Sequence, residues 1–305
     1  MTELNSQTED GDPADTVPCD VVNGLLTGRA TWSPPPGLSW DGCMWRGQRA
    51  AEISYPADGQ IATDYPGGGW WFDARASLIA RYLAESGPHK SVWDVGGGNG
   101  VMAASLRARG CPPIVVVEPM VASATTAAPR APVVFAAGIE DIDLPAASLS
   151  AVLLLDVLEH VQDPSRLLRT VARLLTDTGV LVVTVPAHMI LWSAVDEASG
   201  HYRRYSRGLL RHTLQGVGLK VTSMRHAFAS LFLPALIARR LPRSQTPGDA
   251  LRADRKRLNP APIVTQALVM LSAAERRIPD RLVPPFGTSI IAVARRDSPW
   301  HGTDA

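Results

Sequence analysis

The stretch SVWDVGGGNG, residues 91–100, places an acidic residue, Asp94, just before glycines at positions 96, 97, 98 and 100. Glycine loses more backbone entropy on folding than any other residue, so this density needs a reason: a tight turn, a bulge, or a loop over which a ligand passes. Glu118 ends the next apolar run about 20 residues downstream, where a carboxylate can accept hydrogen bonds from ribose hydroxyls. Together these residues predict a loop that binds a nucleoside.

The glycine spacing discriminates between nucleotide ligands. The dinucleotide fingerprint GxGxxG ends on a glycine that allows close packing under a pyrophosphate, and Val101 occupies that slot here. The chain also lacks the GxxxxGK(S/T) sequence of a P-loop. The loop therefore favours a nucleoside ligand without phosphates, and an NAD oxidoreductase is the least favoured interpretation.

Three histidines are candidate general bases, because the pKa of histidine lies near neutrality. His160 lies in LLLDVLEHVQDP (153–164), His188 follows the apolar run that ends at Pro186, and His201 lies in GHYRRY (200–205). Two of them, His160 and His201, have an alternative role. His160 can order its turn or touch a cofactor, and the arginines beside His201 can bind an anionic substrate or pair with nearby acids to shape a lid.

The turn that contains His160 could alternatively form a metal-binding site. Asp156, Glu159 and His160 share one helical face at i, i+3 and i+4, and these side chains can ligate a divalent ion. The preferred expectation includes no metal.

Alternating strands and helices must position these residues. Apolar strand-like runs bounded by turn residues alternate with helical periodicity, which predicts a parallel sheet with helices on both faces. Asp163 and Pro164 are suited to the cap and first position of one helix. The strands are expected at SVWDV (91–95), IVVVE (114–118), APVVFAAG (131–138), AVLLLDV (151–157), GVLVVTVP (179–186), LKVTSMRHA (219–227) and TSIIAVARR (288–296).

These motifs resemble the class I S-adenosylmethionine-dependent methyltransferases. Asp94 with Gly96, Gly98 and Gly100 matches the family's acidic residue and GxGxG loop, Glu118 matches the acid that ends its second strand, and LLLDVLEHVQDP matches its D-x-x-E-H turn. WWFDAR (70–75), LWSAVDEASGHYRRYS (191–206) and PPFGTSIIAVARR (284–296) resemble a bacterial small-molecule subgroup. The resemblance covers residues 50–296.

The resemblance implies a Rossmann-like α/β fold. Its seven-stranded sheet is mostly parallel, with the last strand antiparallel between strands five and six, and cap segments lie at both ends of the chain. The cofactor implied is S-adenosylmethionine, with S-adenosylhomocysteine as product. Asp94 would order the turn and the cofactor's amino group, Glu118 would hold the ribose, and Arg75 would pair with the cofactor's carboxylate. The residues implied to contact the cofactor are Arg75, Asp94, Gly96, Gly97, Gly98, Gly100, Glu118, Pro119, Ile139, Glu140, Asp156 and Val157, with Asp141 an alternative to Glu140 at the adenine.

The sequence divides the chain into a core and several flanking segments. We expect a disordered tail (1–20), an N-terminal cap of loop with short ordered pieces (21–87), a cofactor-binding core (88–226), a helical insertion over the active site (227–283), a final core strand (284–296) and a tail (297–305). Trp70, Trp71 and Phe72 either pack a helix or cover the cofactor. The apolar segment 227–243 either packs over the sheet, walls an apolar pocket or contacts a membrane surface, with its arginines at the headgroups.

Composition limits the partners. The formal net charge of +1 argues against a general nucleic-acid binder. Three widely spaced cysteines form neither a disulfide framework nor a zinc motif, and the polar N-terminus is not a signal sequence, so a cytoplasmic protein is expected. The longest apolar run is too short for a transmembrane helix. The sequence leaves the oligomeric state open.

The preferred function is S-adenosylmethionine-dependent methylation of a small molecule, slightly favouring an oxygen acceptor and secondary metabolism. Alternatives are a non-methylating use of the same cofactor, such as cyclisation, and a non-catalytic cofactor-binding protein. A product that carries one added methyl group would discriminate among them.

Overall fold

A computed structural model describes residues 13–28, 30–48, 69–240 and 261–298. The expected tail at residues 1–12, most of the expected C-terminal tail and parts of both expected cap segments lie outside the described residues. Residues 13–25, assigned to a disordered tail up to residue 20, instead form a helix. The chain just after this helix is held to the core, since the Thr27 N–H donates to the Ser148 carbonyl at 2.8 Å.

The strands form one sheet, mostly parallel. They are β1 Leu38–Trp40, β2 Trp45–Gly47, β3 Val92–Val95, β4 Ile114–Val117, β5 Val133–Ala136, β6 Leu149–Leu155, β7 Leu175–Pro186, β8 Leu219–Ala227 and β9 Ser289–Arg296. Their order is β1-β2-β5-β4-β3-β6-β7-β9-β8. The last strand, β9, is antiparallel to both β7 and β8, as the resemblance implies.

The helices alternate with the strands. They are α1 Pro13–Leu25, α2 Trp70–Glu85, α3 Val101–Arg107, α4 Val121–Ala127, α5 Pro164–Leu174, α6 Ala194–Ala198, α7 Arg207–Gln215, α8 Ala229–Arg240 and α9 Pro262–Arg277. The start of α5 is as predicted, because the Asp163 carboxylate accepts from the Ser165 N–H and Pro164 is the first helical residue.

Two apolar layers, one on each face of the sheet, form the core. Neighbouring strand residues point to opposite faces: Trp93 packs with α1, α5 and α7, whereas Val92 packs with α2, α3 and α4. Burial on both faces accounts for the near-continuous apolar runs of the central strands. The sheet thereby holds the carboxyl ends of β3, β4 and β6 at one edge.

The sheet has nine strands rather than seven, because a short hairpin extends it. β1 and β2 pair antiparallel, and β2 pairs parallel with β5, with Trp45 opposite Phe135. Trp45 is buried and contacts Trp32 and Phe135. Each of these strands has only three residues and is flanked by proline and glycine residues. Their pairing therefore depends more on the contacts of Trp45 with distant residues than on the local sequence pattern.

We expect Trp32→Phe to destabilise the protein by about 1–3 kcal/mol, because it removes the indole N–H that donates to the buried Ile142 carbonyl at 2.7 Å. Chemical denaturation would measure the change. Trp40→Phe is the control, since Trp40 is only partly buried and lies against the same cluster. Equal losses in both variants would contradict a specific role for the Trp32 hydrogen bond.

The C-terminal helices α8 and α9 carry exposed apolar side chains, including Leu233, Ile237 and Met270. α8 also contains Pro234. Among the described residues, no helix combines the length and the apolar character that a membrane crossing requires. Whether α8 walls a substrate pocket or contacts a membrane surface stays a prediction.

Candidate active site

A cavity of about 240 Å³ opens beside the carboxyl ends of β3 and β6. Six of the predicted cofactor residues line it: Arg75, Asp94, Gly96, Gly97, Gly98 and Asp156. Trp71 and Phe72 of α2 also line it, with Asn99, Met102 and Leu155. The start of α2 therefore forms a wall of the cavity, and the segment before β3 contributes to this site.

The glycine loop adopts backbone conformations that disfavour side chains. Gly96, Gly98 and Gly100 have φ of 75°, 55° and 74°. A Cβ on Gly96 would lie 2.5 Å from the Val157 side chain, whereas a Cβ on Gly98 would meet no heavy atom within 4 Å. Gly96 is therefore required for packing of the loop, and Gly98 leaves open space at the cavity.

Asp94 is a buried carboxylate at the edge of this cavity. It is 1% exposed, and neither carboxylate oxygen has a hydrogen-bond partner among the described residues. Burial raises its pKa to about 7; Arg75 acts in the opposite direction and the nearby Glu118 adds to the rise. Such a group is stabilised by a cation or hydrogen-bond donor that enters the cavity.

Glu118 orders the glycine loop, a role expected for Asp94. Its Oε2 accepts from the Gly98 N–H at 2.9 Å, and its Oε1 accepts from the Met120 N–H at 2.8 Å. Burial raises its pKa, while both of these hydrogen bonds act to lower it. The carboxylate is held by backbone donors and keeps further acceptor capacity, which suits the predicted contact with ribose hydroxyls.

Arg75 is bound to protein groups, whereas the sequence assigns it to the cofactor's carboxylate. Its Nη1 lies 2.7 Å from Asp156 Oδ2, its Nη2 donates to the Thr184 hydroxyl, and its guanidinium lies 4.1 Å from the Trp71 ring centre. The Thr184 hydroxyl donates to Asp156 Oδ1 at 3.1 Å. This arrangement fixes Asp156, whose φ of 56° is unusual for a residue other than glycine.

The residues predicted to contact adenine do not line the cavity. Ile139 is 2% exposed and belongs to the core, while Glu140 is exposed. Val157 packs against the loop at Gly96. The adenine contacts of Ile139 and of Glu140 or Asp141, and the cofactor contact of Pro119, stay predictions.

His160 and His201 come together beside the cavity wall but do not line it. Their ring centres are 4.6 Å apart in an edge-to-face arrangement. Burial and the neighbouring His201 lower the pKa of His160 to about 4. His201 Nδ1 lies 3.0 Å from Asp196 Oδ1, and the Arg204 guanidinium binds both oxygens of Asp196. Of the two acids expected to pair with the arginines of this segment, Asp196 does so, whereas Glu197 accepts from the Trp192 indole N–H.

His188 lies in a separate aromatic group. Its ring stacks on His226 at 4.8 Å and meets Phe232 edge-on at 5.3 Å. Its Nε2 is buried without a hydrogen-bond partner in the described part of the chain, and its φ is 60°. Burial and the charge of Arg204 lower its pKa, so His188 is neutral at pH 7.

Sequence reasoning missed His226, Thr184 and Phe228. His226 occupies β8, and Phe228, with φ of 57°, stacks on Trp71 just after that strand. Asp156, His188 and Phe228 follow the ends of β6, β7 and β8, so strained backbone gathers at one edge of the sheet. Their position in the sequence could have indicated them, because all three missed residues lie at or near the carboxyl end of a strand in an open sheet, where ligands bind.

Comparison with known proteins identifies the fold. The chain is similar to the plantazolicin methyltransferase BamL, solved with a triazolic desmethyl analogue and S-adenosylhomocysteine, at 14% identity and a TM-score of 0.52 over 82% of this chain and 95% of that one. It is also similar to the cyclase SpnF (20% identity, TM-score 0.48, 81% of this chain and 90% of that one). A third is an S-adenosylmethionine-dependent methyltransferase from Archaeoglobus fulgidus (16% identity, TM-score 0.47, 74% and 94%).

A comparison with curated protein sequences gives no match. The profile of a methyltransferase domain, by contrast, matches residues 71–224, which is about half of the chain and spans α2 to β8. This range contains the glycine loop, Glu118, the D-x-x-E-H turn and all three predicted histidines. The chain belongs to the methyltransferase-domain family, and it has the Rossmann-like fold of S-adenosylmethionine-dependent methyltransferases.

Proposed function

We propose that the protein transfers a methyl group from S-adenosylmethionine to an oxygen atom of a small, largely apolar molecule. The observation that carries the proposal is Asp94, a buried carboxylate without a partner among the described residues, beside a cavity bordered by the glycine loop. A carboxylate so placed is suited to a bound ammonium group.

The residues present fit S-adenosylmethionine. Asp94 would hold its ammonium group, the open space at Gly98 admits its chain close to the backbone, and Glu118 would accept from its ribose. Trp71 and Phe72 are aromatic residues of the kind that bind positively charged centres such as a sulfonium. When bound, this cofactor supplies a methyl group already activated for displacement.

The protein's own contribution is positioning, exclusion of water and acceptance of a proton. Aromatic side chains supply the apolar surroundings: Trp71 and Phe72 line the cavity, and Phe228 stacks on Trp71. An oxygen acceptor needs a base. His188 follows the carboxyl end of β7, at the edge of the sheet where the cavity opens, and although it does not itself line the cavity it is the histidine we assign to this role. This favours a hydroxyl-bearing acceptor; a place in secondary metabolism stays a prediction.

Calorimetry with S-adenosylmethionine and S-adenosylhomocysteine, followed by mass spectrometry of reactions with candidate hydroxylated aromatic and aliphatic acceptors, tests the proposal. One added methyl group on oxygen is the expected product. A rearranged product of unchanged mass would indicate the non-methylating alternative. Cofactor binding without turnover on any acceptor would favour a binding protein.

We expect His188→Ala to lower kcat by about 10²-fold while leaving S-adenosylhomocysteine affinity unchanged. Because the pKa of His188 is lowered, wild-type kcat should rise with pH with a midpoint below the ordinary histidine pKa, and the variant should lack that rise. Rate measurements from pH 4.5 to 8, a range set by the ordinary histidine pKa of about 6.5, would check it.

The control is His212→Ala, an exposed histidine on α7. It should retain both the rate and the pH profile. A His188→Ala enzyme with wild-type kcat and the same pH dependence would assign the base elsewhere.

A further inference from the structure

Glu159, His160 and His201 form a cluster that the proposed methyl transfer does not use. Each offers one ligand atom, and these atoms all lie within 4.8 Å of one another. Glu159 and His160 lie in the short turn after β6, whereas His201 comes from the segment after α6. Two distant parts of the chain therefore bring a carboxylate and two imidazoles together.

Glu159 is the unusual member. It is 0% exposed, and neither carboxylate oxygen has a hydrogen-bond partner from another described residue. A buried carboxylate in this state is strongly disfavoured unless a cation or a proton joins it.

His201 is held in the orientation of a metal ligand. Its Nδ1 contacts Asp196, which is fixed by Arg204 and accepts from the Ser193 N–H and hydroxyl. This leaves Nε2 as the ligating nitrogen. Metal-bound histidines almost always donate their other ring N–H to a carboxylate, a carbonyl or water in this way.

We propose that Glu159, His160 and His201 bind one divalent transition-metal ion, with Zn²⁺ the best match. Two imidazoles and one carboxylate suit zinc, whereas magnesium and calcium prefer oxygen ligands throughout. Three protein ligands leave a fourth position for water. Asp156, the third member of the alternative metal set considered from the sequence, is instead held by Arg75 and Thr184, and His201 takes its place.

The site adjoins the proposed active site without depending on it. Asp156, which lines the cavity, precedes Glu159 by three residues, so a bound ion would lie just behind that wall. Metal binding can therefore be measured with or without cofactor, and its failure would leave the proposed methyl transfer intact.

The test uses the full chain after treatment with a chelator. Titration with Co²⁺, followed by visible absorption, and with Zn²⁺, followed by calorimetry, should give one site per chain. Glu159→Gln and His201→Ala should each weaken binding by about 10²-fold or more. His212→Ala, which changes an exposed histidine, should bind as the wild type does.

Folding is controlled by thermal melts. Zn²⁺ should raise the Tm of the wild type and of His212→Ala, and should leave that of Glu159→Gln unchanged. Glu159→Gln keeps the shape of the side chain, so a folded variant that has lost binding supports the site. Absence of a Co²⁺ spectrum in the wild type, or equal affinity in Glu159→Gln, would overturn the proposal.

Discussion

Replacing Asp94 with asparagine is expected to stabilise the cofactor-free protein above pH 7 and to weaken cofactor binding by about 10²-fold or more. Burial raises the pKa of Asp94 from 3.8 to about 7. That difference corresponds to about 4 kcal/mol of unfolding free energy that is lost when the carboxylate ionises without a partner. Asparagine has the same shape and does not ionise, so it removes this cost together with the cofactor's anchor.

The sign of the pH dependence follows from the raised pKa. Below the unfolded-state pKa the carboxyl is protonated in both states and this penalty is absent. As pH rises toward about 7, the Asp94 carboxyl ionises first in the unfolded chain, so the folded state loses stability relative to the unfolded state. This loss is complete above about pH 7. The stability gained by Asp94→Asn should therefore be small at low pH and large at high pH.

Thermal melts without cofactor and calorimetry with S-adenosylhomocysteine, each across this pH range, would measure both effects. Wild-type affinity should rise as pH increases through about 7, because the ionised carboxylate holds the ammonium group. The variant should lack that rise.

Asp196→Asn is the matched control. Asp196 is also buried, but His201 and Arg204 lower its pKa to about 2, outweighing desolvation. Its replacement should destabilise the protein at neutral pH, opposite to Asp94→Asn. A stabilising effect of both substitutions, or unchanged cofactor affinity in Asp94→Asn, would contradict the role assigned to Asp94.

Much of the sheet follows from the sequence because its central strands are buried on both faces. Runs such as IVVV at β4 and LVV within β7 have no polar residue to face solvent, so they predict central strands covered by helices on both faces. The antiparallel β9, by contrast, was implied by family resemblance. The β1–β2 hairpin could not be predicted, because it is stabilised by Trp45 contacting Phe135, about 90 residues away, in an orientation that local pattern does not specify.

Site residues could be predicted where only one residue type tolerates the backbone conformation. They could not be predicted where a side chain has several possible partners in the sequence. Gly96 and Gly98 are required by positive φ, which the sequence signals directly. The pairing of Arg75 with Asp156 joins α2 to the end of β6, and several acids were equally available to that arginine. The sequence places His226 in a strand but gives no sign of its partner. Only the register of β8 brings its ring into stacking contact with His188.

Replacing Gly98 with leucine is expected to abolish measurable S-adenosylmethionine binding while the protein stays folded. The Cβ position at Gly98 meets no heavy atom within 4 Å, so the new side chain occupies the cavity that the cofactor needs. The φ of 55° costs a residue with a side chain about 1–2 kcal/mol. Gly96 is a poorer target, since its Cβ would collide with Val157 and disturb the loop as well.

Gly110→Leu separates backbone strain from loss of the cavity. Gly110 has φ of 74°, its Cβ position is equally open, and it lies at the end of α3, outside the cavity lining. Both variants should therefore lose similar stability in thermal melts, and only Gly98→Leu should lose binding in calorimetry. If Gly98→Leu bound the cofactor tightly, the glycine loop would not be the cofactor site. Equal loss of binding in both variants would mean that strain alone, transmitted through the fold, explains the effect.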